Sequence, residues 1–346
     1  MKYAALIDNE KFEIREGELR VKRNPIIKVT HVGVCGTDLG QWKEGSHHKD
    51  LVIGHEYSGI IVEPGTTGLF KEGDRVAGYT QNVFNEPCGH CENCLNEDFD
   101  NCTNRKVYTW KGGDYTHPGA YSQYTTWFPK SIYKLPDGIE LDEAALIEPF
   151  TVGLHAVLLT EMKPDDKVLV LGGGIIGLAI SEWLKVYGAS EITVTEMNKE
   201  KIELIKSFGI VDHVVASDAK DIDEQLQTIS QGGYDIVFDC TGIASAIDTG
   251  IKALKQEFKK KFTAVGLPHA PVSINYERIV LKEVILRGSK GHQFHEFRTV
   301  ARMVADKKLD VKKYITTRIK LSEVQAGFEG LKARRGADVK AVIEID

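Results

Sequence analysis

The sequence predicts an α/β protein of two domains, one an irregular β domain and the other a doubly wound parallel sheet. Three observations predict it. A chain of 346 residues is long for a single hydrophobic core. Up to about Pro149 it offers short β-rich pieces, such as 26–29 and 57–62, separated by the turns Pro64-Gly65 and Glu72-Gly73-Asp74. From about Thr151 apolar strand-like runs alternate with helical stretches, a pattern that implies a parallel sheet covered on both faces. The expected division is 1–150 with 290–346 in one domain and 151–289 in the other.

In the second domain the expected strands are 167–171, 191–195, 213–216, 234–239 and 262–266. Helices are expected at 178–187, 199–208, 221–229 and 244–254, and an edge strand near 282–286. The tail after about Lys290 is mixed, and a closing strand at 341–344 can return to the first domain. The first strand runs into Gly172-Gly173-Gly174-Ile175-Ile176-Gly177 and then into a helix, the context in which Gly-x-Gly-x-x-Gly marks a dinucleotide site. Gly172 would allow the tight turn, Gly174 the close approach of a pyrophosphate, and Gly177 the packing of helix on strand. The helix N-terminus offers free N–H groups to the anion. The next strand ends in Glu196, the expected place for a carboxylate that binds the ribose.

Composition is that of an ordinary globular protein, 42% apolar and 27% charged. A net charge of −6 argues against nucleic-acid or anionic-membrane partners. The first eight residues show no signal peptide. The longest apolar run, 168–180, is broken by glycines and too short to span a bilayer. A cytoplasmic protein is expected.

Of six cysteines, Cys88, Cys91, Cys94 and Cys102 lie in one short stretch, while Cys35 and Cys240 stand alone. Four thiolates at this spacing suit a closed tetrahedral zinc site with a structural role. His90 is a spectator, since the cysteines complete the tetrahedron. A second constellation comprises Cys35-Gly36-Thr37-Asp38, Gly54-His55-Glu56 and Ile147-Glu148-Pro149. Each piece alone is weak, because a lone cysteine or histidine is usually an ordinary core residue.

Taken with the cysteine lobe, Gly73-Asp74-Arg75-Val76 and the glycine turn, these motifs resemble the zinc-dependent medium-chain dehydrogenase/reductases over essentially the whole chain. Glu148-Pro149-Phe150-Thr151-Val152-Gly153-Leu154-His155 points to the polyol branch, which includes sorbitol, butanediol and sugar-alcohol-phosphate dehydrogenases, with threonine dehydrogenases as close neighbours. The resemblance implies a GroES-like catalytic domain joined to a Rossmann domain, and dimers or tetramers paired near 282–286. It implies a catalytic metal held by Cys35, His55 and Glu56, with Glu148 binding directly or through water. One thiolate, one carboxylate and a neutral imidazole balance a divalent ion, and two zinc ions per subunit are expected. Participation of Glu148 would make a harder metal such as Mn²⁺ more competitive at the catalytic position.

The implied reaction is reversible hydride transfer between a secondary alcohol and nicotinamide, with the metal acting as Lewis acid on the alcohol oxygen. Thr37 is placed to pass the alcohol proton outward. Many relatives carry a histidine three residues later, where this chain has Gly40, so the relay ends at Gln41, His47 or solvent. Trp42 is either a pocket wall or a core aromatic. Glu196 favours NAD over NADP, because a carboxylate repels a 2′-phosphate. Lys201, expected along the adenosine ribose, and Lys199 could offset it. Thr241-Gly242 and Val265-Gly266 fall at strand ends on the nicotinamide side, and Cys240 reads as core.

Around the metal, Tyr57, Glu148, Lys290 and His292 are candidate polar contacts for a small-molecule polyol. His47-His48-Lys49 with Lys290, His292 and His295 could bind the phosphate of a sugar-alcohol phosphate, or could be histidines scattered over two loops. A threonine-type substrate and a non-catalytic dinucleotide-binding protein are the other readings.

Overall fold

The computed structural model describes residues 1–19, 23–45, 51–79, 85–107, 119–256, 260–268, 270–334 and 336–346. By internal contacts the chain divides into two units. The first comprises Met1–Glu148, Gln293–Arg334 and Lys340–Asp346, and the second Pro149–His292 and Arg335–Val339. The segment 335–339, expected in the first domain, thus joins the second unit, where Lys201 Nζ lies 3.8 Å from the position of a Cβ on Gly336.

In chain order the first unit opens with strands β1 (Lys2–Asp8), β2 (Lys11–Glu16) and β3 (Ile26–Gly33), helix α1 (Gly36–Glu44), and strands β4 (Glu56–Glu63) and β5 (Arg75–Gly78). The cysteine lobe follows, with β6 (Asn85–Glu86), the single turn α2 (Glu92–Leu95) and β7 (Lys106–Val107). Then come β8 (Tyr124–Thr126), β9 (Ile132–Lys134), the short α3 (Leu141–Ala144) and α4 (Ile147–Thr160). The second unit continues through β10 (Lys167–Leu171), α5 (Ile175–Val186), β11 (Glu191–Glu196), α6 (Lys199–Phe208), β12 (His213–Ala216), α7 (Ile222–Ser230), β13 (Ile236–Asp239), α8 (Ala244–Ala253), β14 (Lys261–Ala264), α9 (Tyr276–Leu281) and β15 (Ile285–Gly288). The chain returns with α10 (Phe294–Ala305), β16 (Ile315–Lys320), α11 (Val324–Ala333) and β17 (Lys340–Glu344).

The first unit is built on a seven-stranded sheet of order β16-β17-β3-β4-β5-β9, with β8 also paired to β3. Its pairings are antiparallel except for β16 with β17. The core over this sheet gathers Leu6, Ile27, Val32, Trp42, Tyr57, Tyr121 and Phe328.

The second unit is a six-stranded sheet of order β12-β11-β10-β13-β14-β15, parallel throughout. In β10, Val168, Leu169, Val170 and Leu171 are all buried, as a central strand covered on both faces requires. Helix α5 begins at Ile175, earlier than the sequence pattern suggests. Gly153 lets α4 approach it, for a Cβ there would lie 2.8 Å from Ala179 Cβ. Trp183 Nε1 donates to the Phe150 carbonyl at 2.8 Å. Asn198 caps α6 by accepting from the Lys201 N–H, and Gly209 ends it in the left-handed conformation. The edge strand begins at Ile285, not at 282. Lys282 instead turns inward, and its Nζ donates to the Ile251, Lys252 and Leu254 carbonyls at the end of α8.

Candidate metal and dinucleotide sites

The first site gathers three donors at the end of β3 and the start of β4. Cys35 is the N-cap of α1, and its backbone N–H donates to Asp38 Oδ2 at 2.9 Å. His55 precedes β4 and Glu56 opens it. One ligand atom from each of Cys35, His55 and Glu56 lies within 4.8 Å of the others. Burial pushes the His55 imidazole down, but Cys35, Asp38 and Glu148 outweigh it and hold the ring well above its ordinary value. The surroundings therefore favour positive charge at this point. A soft thiolate, an imidazole and a carboxylate around such a point fit a divalent ion of the zinc type.

The structure adds a charge that the sequence reading leaves out. Lys340, 2% exposed on β17, places Nζ on Glu56 Oε2 and donates to the Val34 carbonyl at 2.9 Å. Burial lowers the Lys340 pKa, but the carboxylate of Glu56 and the anionic groups around it raise it overall. One carboxylate is thus already paired, and the balance of thiolate plus carboxylate against a divalent ion is revised: Glu148 and Asp38 supply further negative charge. Glu148, 3% exposed in the first turn of α4, acts on His55, Glu56 and Lys340 electrostatically and stands outside the 4.8 Å triad. Gly33 makes room for the ion pair, since a Cβ there would lie 2.8 Å from Lys340 Cε and closer still to Glu56.

Thr37 lies exposed in the first turn of α1, two residues beyond Cys35, and Gln41 is exposed on the same helix. His47, His48 and Lys49 fall outside the described residues. Trp42 is a core aromatic, not a pocket wall: it is fully buried, edge-on to Phe328 at 5.6 Å. Tyr57 is likewise core rather than a substrate contact, 1% exposed and packed against Trp127 at 4.7 Å. Lys290 is exposed and His292 buried in the second unit, and His295 is exposed on α10 of the first.

In the cysteine lobe, Cys88, Cys91, Cys94 and Cys102 bring their sulfurs within 4.8 Å of one another. Backbone N–H groups of Cys94 and Thr103 pull the Cys91 thiol down to about 5, while burial pushes Cys94 up to about 12. Donors aimed at sulfur favour thiolate, the form that binds metal. His90 turns away, with Nδ1 on the Cys88 carbonyl at 2.9 Å.

The second site lies at the carboxyl end of β10, where the strand order places β11 on one side and β13 on the other. Gly172 has φ of 99°, and a Cβ on Gly177 would lie 2.0 Å from the Gly172 carbonyl oxygen. Gly174 is the N-cap of α5, with open space where a side chain would be. Ile175 and Ile176, half-buried, form the first turn. Gly173 is equally constrained, because a Cβ there would meet Ile205 Cδ1 at 2.3 Å. Glu196 Oε1 accepts the N–H groups of Met197 and Asn198 at 2.8 and 2.9 Å, and Lys201 Nζ stands 3.4 Å from Oε2. Lys199 is exposed.

Asp239, fully buried at the end of β13, organises the remaining turns. Its side chain accepts from the Thr241 N–H and hydroxyl at 2.9 and 2.6 Å, and its carbonyl from the Val265 and Gly266 N–H groups at 2.8 Å. An acid closing the apolar run Ile236-Val237-Phe238 was the available signal for it. Cys240 is half-buried beside the Gly172 turn, not wholly core, and burial raises its thiol pKa.

Two family profiles match the chain: "Alcohol dehydrogenase GroES-like domain" over residues 22–137 and "Zinc-binding dehydrogenase" over residues 176–306. The chain is 30% identical to a sorbitol dehydrogenase of Halalkalibacterium halodurans, covering 96% of this chain and 94% of the relative. It is 27% identical to an L-threonine 3-dehydrogenase of Shewanella woodyi, covering 99% and 96%. Among solved structures, an Escherichia coli oxidoreductase/dehydrogenase of unknown specificity superposes with a TM-score of 0.87 at 28% identity, covering 100% of this chain and 99% of that one.

Proposed function

Since the chain belongs to the zinc-dependent medium-chain dehydrogenase/reductases, in their polyol dehydrogenase branch, we propose that it oxidises a secondary alcohol of a polyol or sugar-alcohol phosphate, with NAD as hydride acceptor. The observation that carries this reading is the convergence of Cys35, His55 and Glu56 within 4.8 Å beside buried Glu148. A zinc ion, or Mn²⁺, bound there supplies Lewis-acid polarisation of the alcohol oxygen. Glu148 sets the negative field of the site, and the Thr37 hydroxyl takes the alcohol proton toward solvent. A second zinc in the four-cysteine lobe is structural. The first unit is the catalytic domain and the second the dinucleotide-binding domain, in which the turn 172–177 receives the pyrophosphate, Glu196 and Lys201 the adenosine ribose, and Thr241 and Val265 the nicotinamide side.

A reduction screen with NAD⁺ and NADP⁺ against free and phosphorylated pentitols and hexitols, with L-threonine alongside, tests this. Turnover on a polyol or its phosphate supports the reading. L-Threonine as the sole substrate would move the chain to the second reading, which similarity to threonine dehydrogenases favours. Tight NAD binding without turnover on any alcohol would make it a non-catalytic binder.

The choice of NAD rests on Glu196, whose Oε1 is fixed by two backbone N–H groups. Glu196→Ala removes the repulsion of a 2′-phosphate and releases Lys201 to meet it. The ratio of NADP⁺ to NAD⁺ efficiency rises by about tenfold or more, equivalent to about 1.4 kcal/mol. An unchanged ratio in paired kcat/KM measurements would remove Glu196 from cofactor choice.

We also propose a cytoplasmic homodimer or homotetramer paired through β15. This strand ends the six-stranded sheet with Ile285 and Leu286 exposed, next to exposed Val280 and Leu281 of α9. An apolar sheet edge of this kind invites a second copy. Leu286→Lys yields monomer by analytical ultracentrifugation if β15 is the contact, and leaves the assembly intact if it is not.

A further inference from the structure

We infer that Tyr121 is a positioning residue for the proposed metal site, its hydroxyl acting through Asp38 on His55. The inference rests on the reading of Cys35, His55 and Glu56 as metal ligands. Tyr121 is fully buried, and its hydroxyl donates to Asp38 Oδ2 at 2.9 Å. The same oxygen accepts the Cys35 N–H at 2.9 Å. With Oδ2 engaged twice, Asp38, 1% exposed, turns Oδ1 toward His55 Nδ1, 3.8 Å away. One buried carboxylate therefore addresses two of the three donors, Cys35 through its backbone and His55 through its ring.

At 3.8 Å the Asp38–His55 contact is electrostatic rather than a hydrogen bond. A carboxylate held on one ring nitrogen still selects which nitrogen faces a metal and how basic it is. The hydroxyl of Tyr121 fixes that carboxylate through Oδ2, leaving Oδ1 to the imidazole.

Tyr121 meets the same ligand by a second route. Its ring lies against Gly54, where a Cβ would fall 2.5 Å from Tyr121 Cδ1, and Gly54 has φ of 98°. Along the backbone, Tyr121 donates its N–H to the Ile53 carbonyl and Ala120 to the Gly54 carbonyl, both at 2.9 Å. The peptide leading into His55 is held by ring and backbone, and the imidazole is addressed through the hydroxyl. Tyr121→Phe separates the two, because the ring stays and only the hydroxyl goes.

The test uses the full chain loaded with Zn²⁺, with release followed by a chromogenic chelator, and a Co²⁺-substituted sample for the visible absorption bands. Wild-type protein releases two equivalents, one of them missing in Cys35→Ser and the other in Cys94→Ser. In Tyr121→Phe the equivalent assigned to the Cys35 site leaves about tenfold faster, the lobe equivalent leaves at the wild-type rate, and the Co²⁺ bands shift. A purely structural hydroxyl would lower the melting temperature while leaving release and bands unchanged, and that result overturns the inference alone. If wild-type protein holds no ion that depends on Cys35, the metal reading fails and the inference with it. Should Tyr121→Phe fail to fold, Asp38→Asn gives the same readout on the next member of the chain, and wild-type release from that variant is equally fatal.

Discussion

Lys340→Met destabilises the chelator-treated protein by about 3–5 kcal/mol, the typical cost of removing one partner from a buried ion pair. Lys340 and Glu56 are each 2% exposed, so water cannot replace the lost partner. The carboxylate of Glu56 would be left among Cys35, Asp38 and Glu148 with no cation of its own. The double variant Lys340→Met, Glu56→Gln removes both charges and recovers most of the loss. Saturating Zn²⁺ also recovers part of it, since an ion at the triad compensates the same carboxylate. Chemical denaturation of wild type and the two variants, with and without metal, measures this. A loss below about 1 kcal/mol in the single variant would mean that solvent or a proton neutralises Glu56 instead.

Chelation of the proposed catalytic ion, or Cys35→Ser, lowers kcat by about 10³-fold or more. Stabilising a developing alkoxide is worth several kcal/mol, and each 1.36 kcal/mol is a factor of ten. The loss is restored to chelated wild-type protein by Zn²⁺ or Mn²⁺ and is not restored to the Cys35 variant. Cys94→Ser, in the lobe, behaves differently: it lowers the melting temperature while residual folded enzyme turns over. Steady-state rates beside metal content per subunit decide the matter. Full activity with no metal bound would end the Lewis-acid reading.

The α/β class was legible because β10 to β14 read as apolar runs separated by helical patterns, with a glycine turn at a strand end. Of the proposed metal donors, the four cysteines stood out by their spacing, whereas Cys35, His55 and Glu56 were weak signals singly and were brought together by the family resemblance. The residues that organise the sites were not legible in the same way. Nothing local marks Lys340 among so many lysines as the buried one, because its burial follows from β17 pairing with β3 beside Gly33 and Glu56. Asp38, Tyr121 and Asp239 are likewise defined by contacts, two of them spanning 83 residues in the Asp38–Tyr121 bond. Tyr57 was misplaced, and Trp42 left open between pocket wall and core, for a related reason. An aromatic beside a metal motif can face ligand or core, and only the T-shaped contacts with Trp127 and Phe328 decide between them.

The position of Lys340 also orders events during synthesis. Its contact with Val34 spans 306 residues, so the amine that neutralises Glu56 emerges after the whole second unit. The four-cysteine lobe, by contrast, is complete within 15 residues of chain, so the ion proposed for it can be captured early. A growing chain therefore passes through a stage with one finished thiolate site and one anionic pocket that still lacks its internal cation. Loop-closure entropy makes the contact that ends this stage slow to form. Supply of metal in that interval bears on how much chain reaches the native state, before any substrate is met.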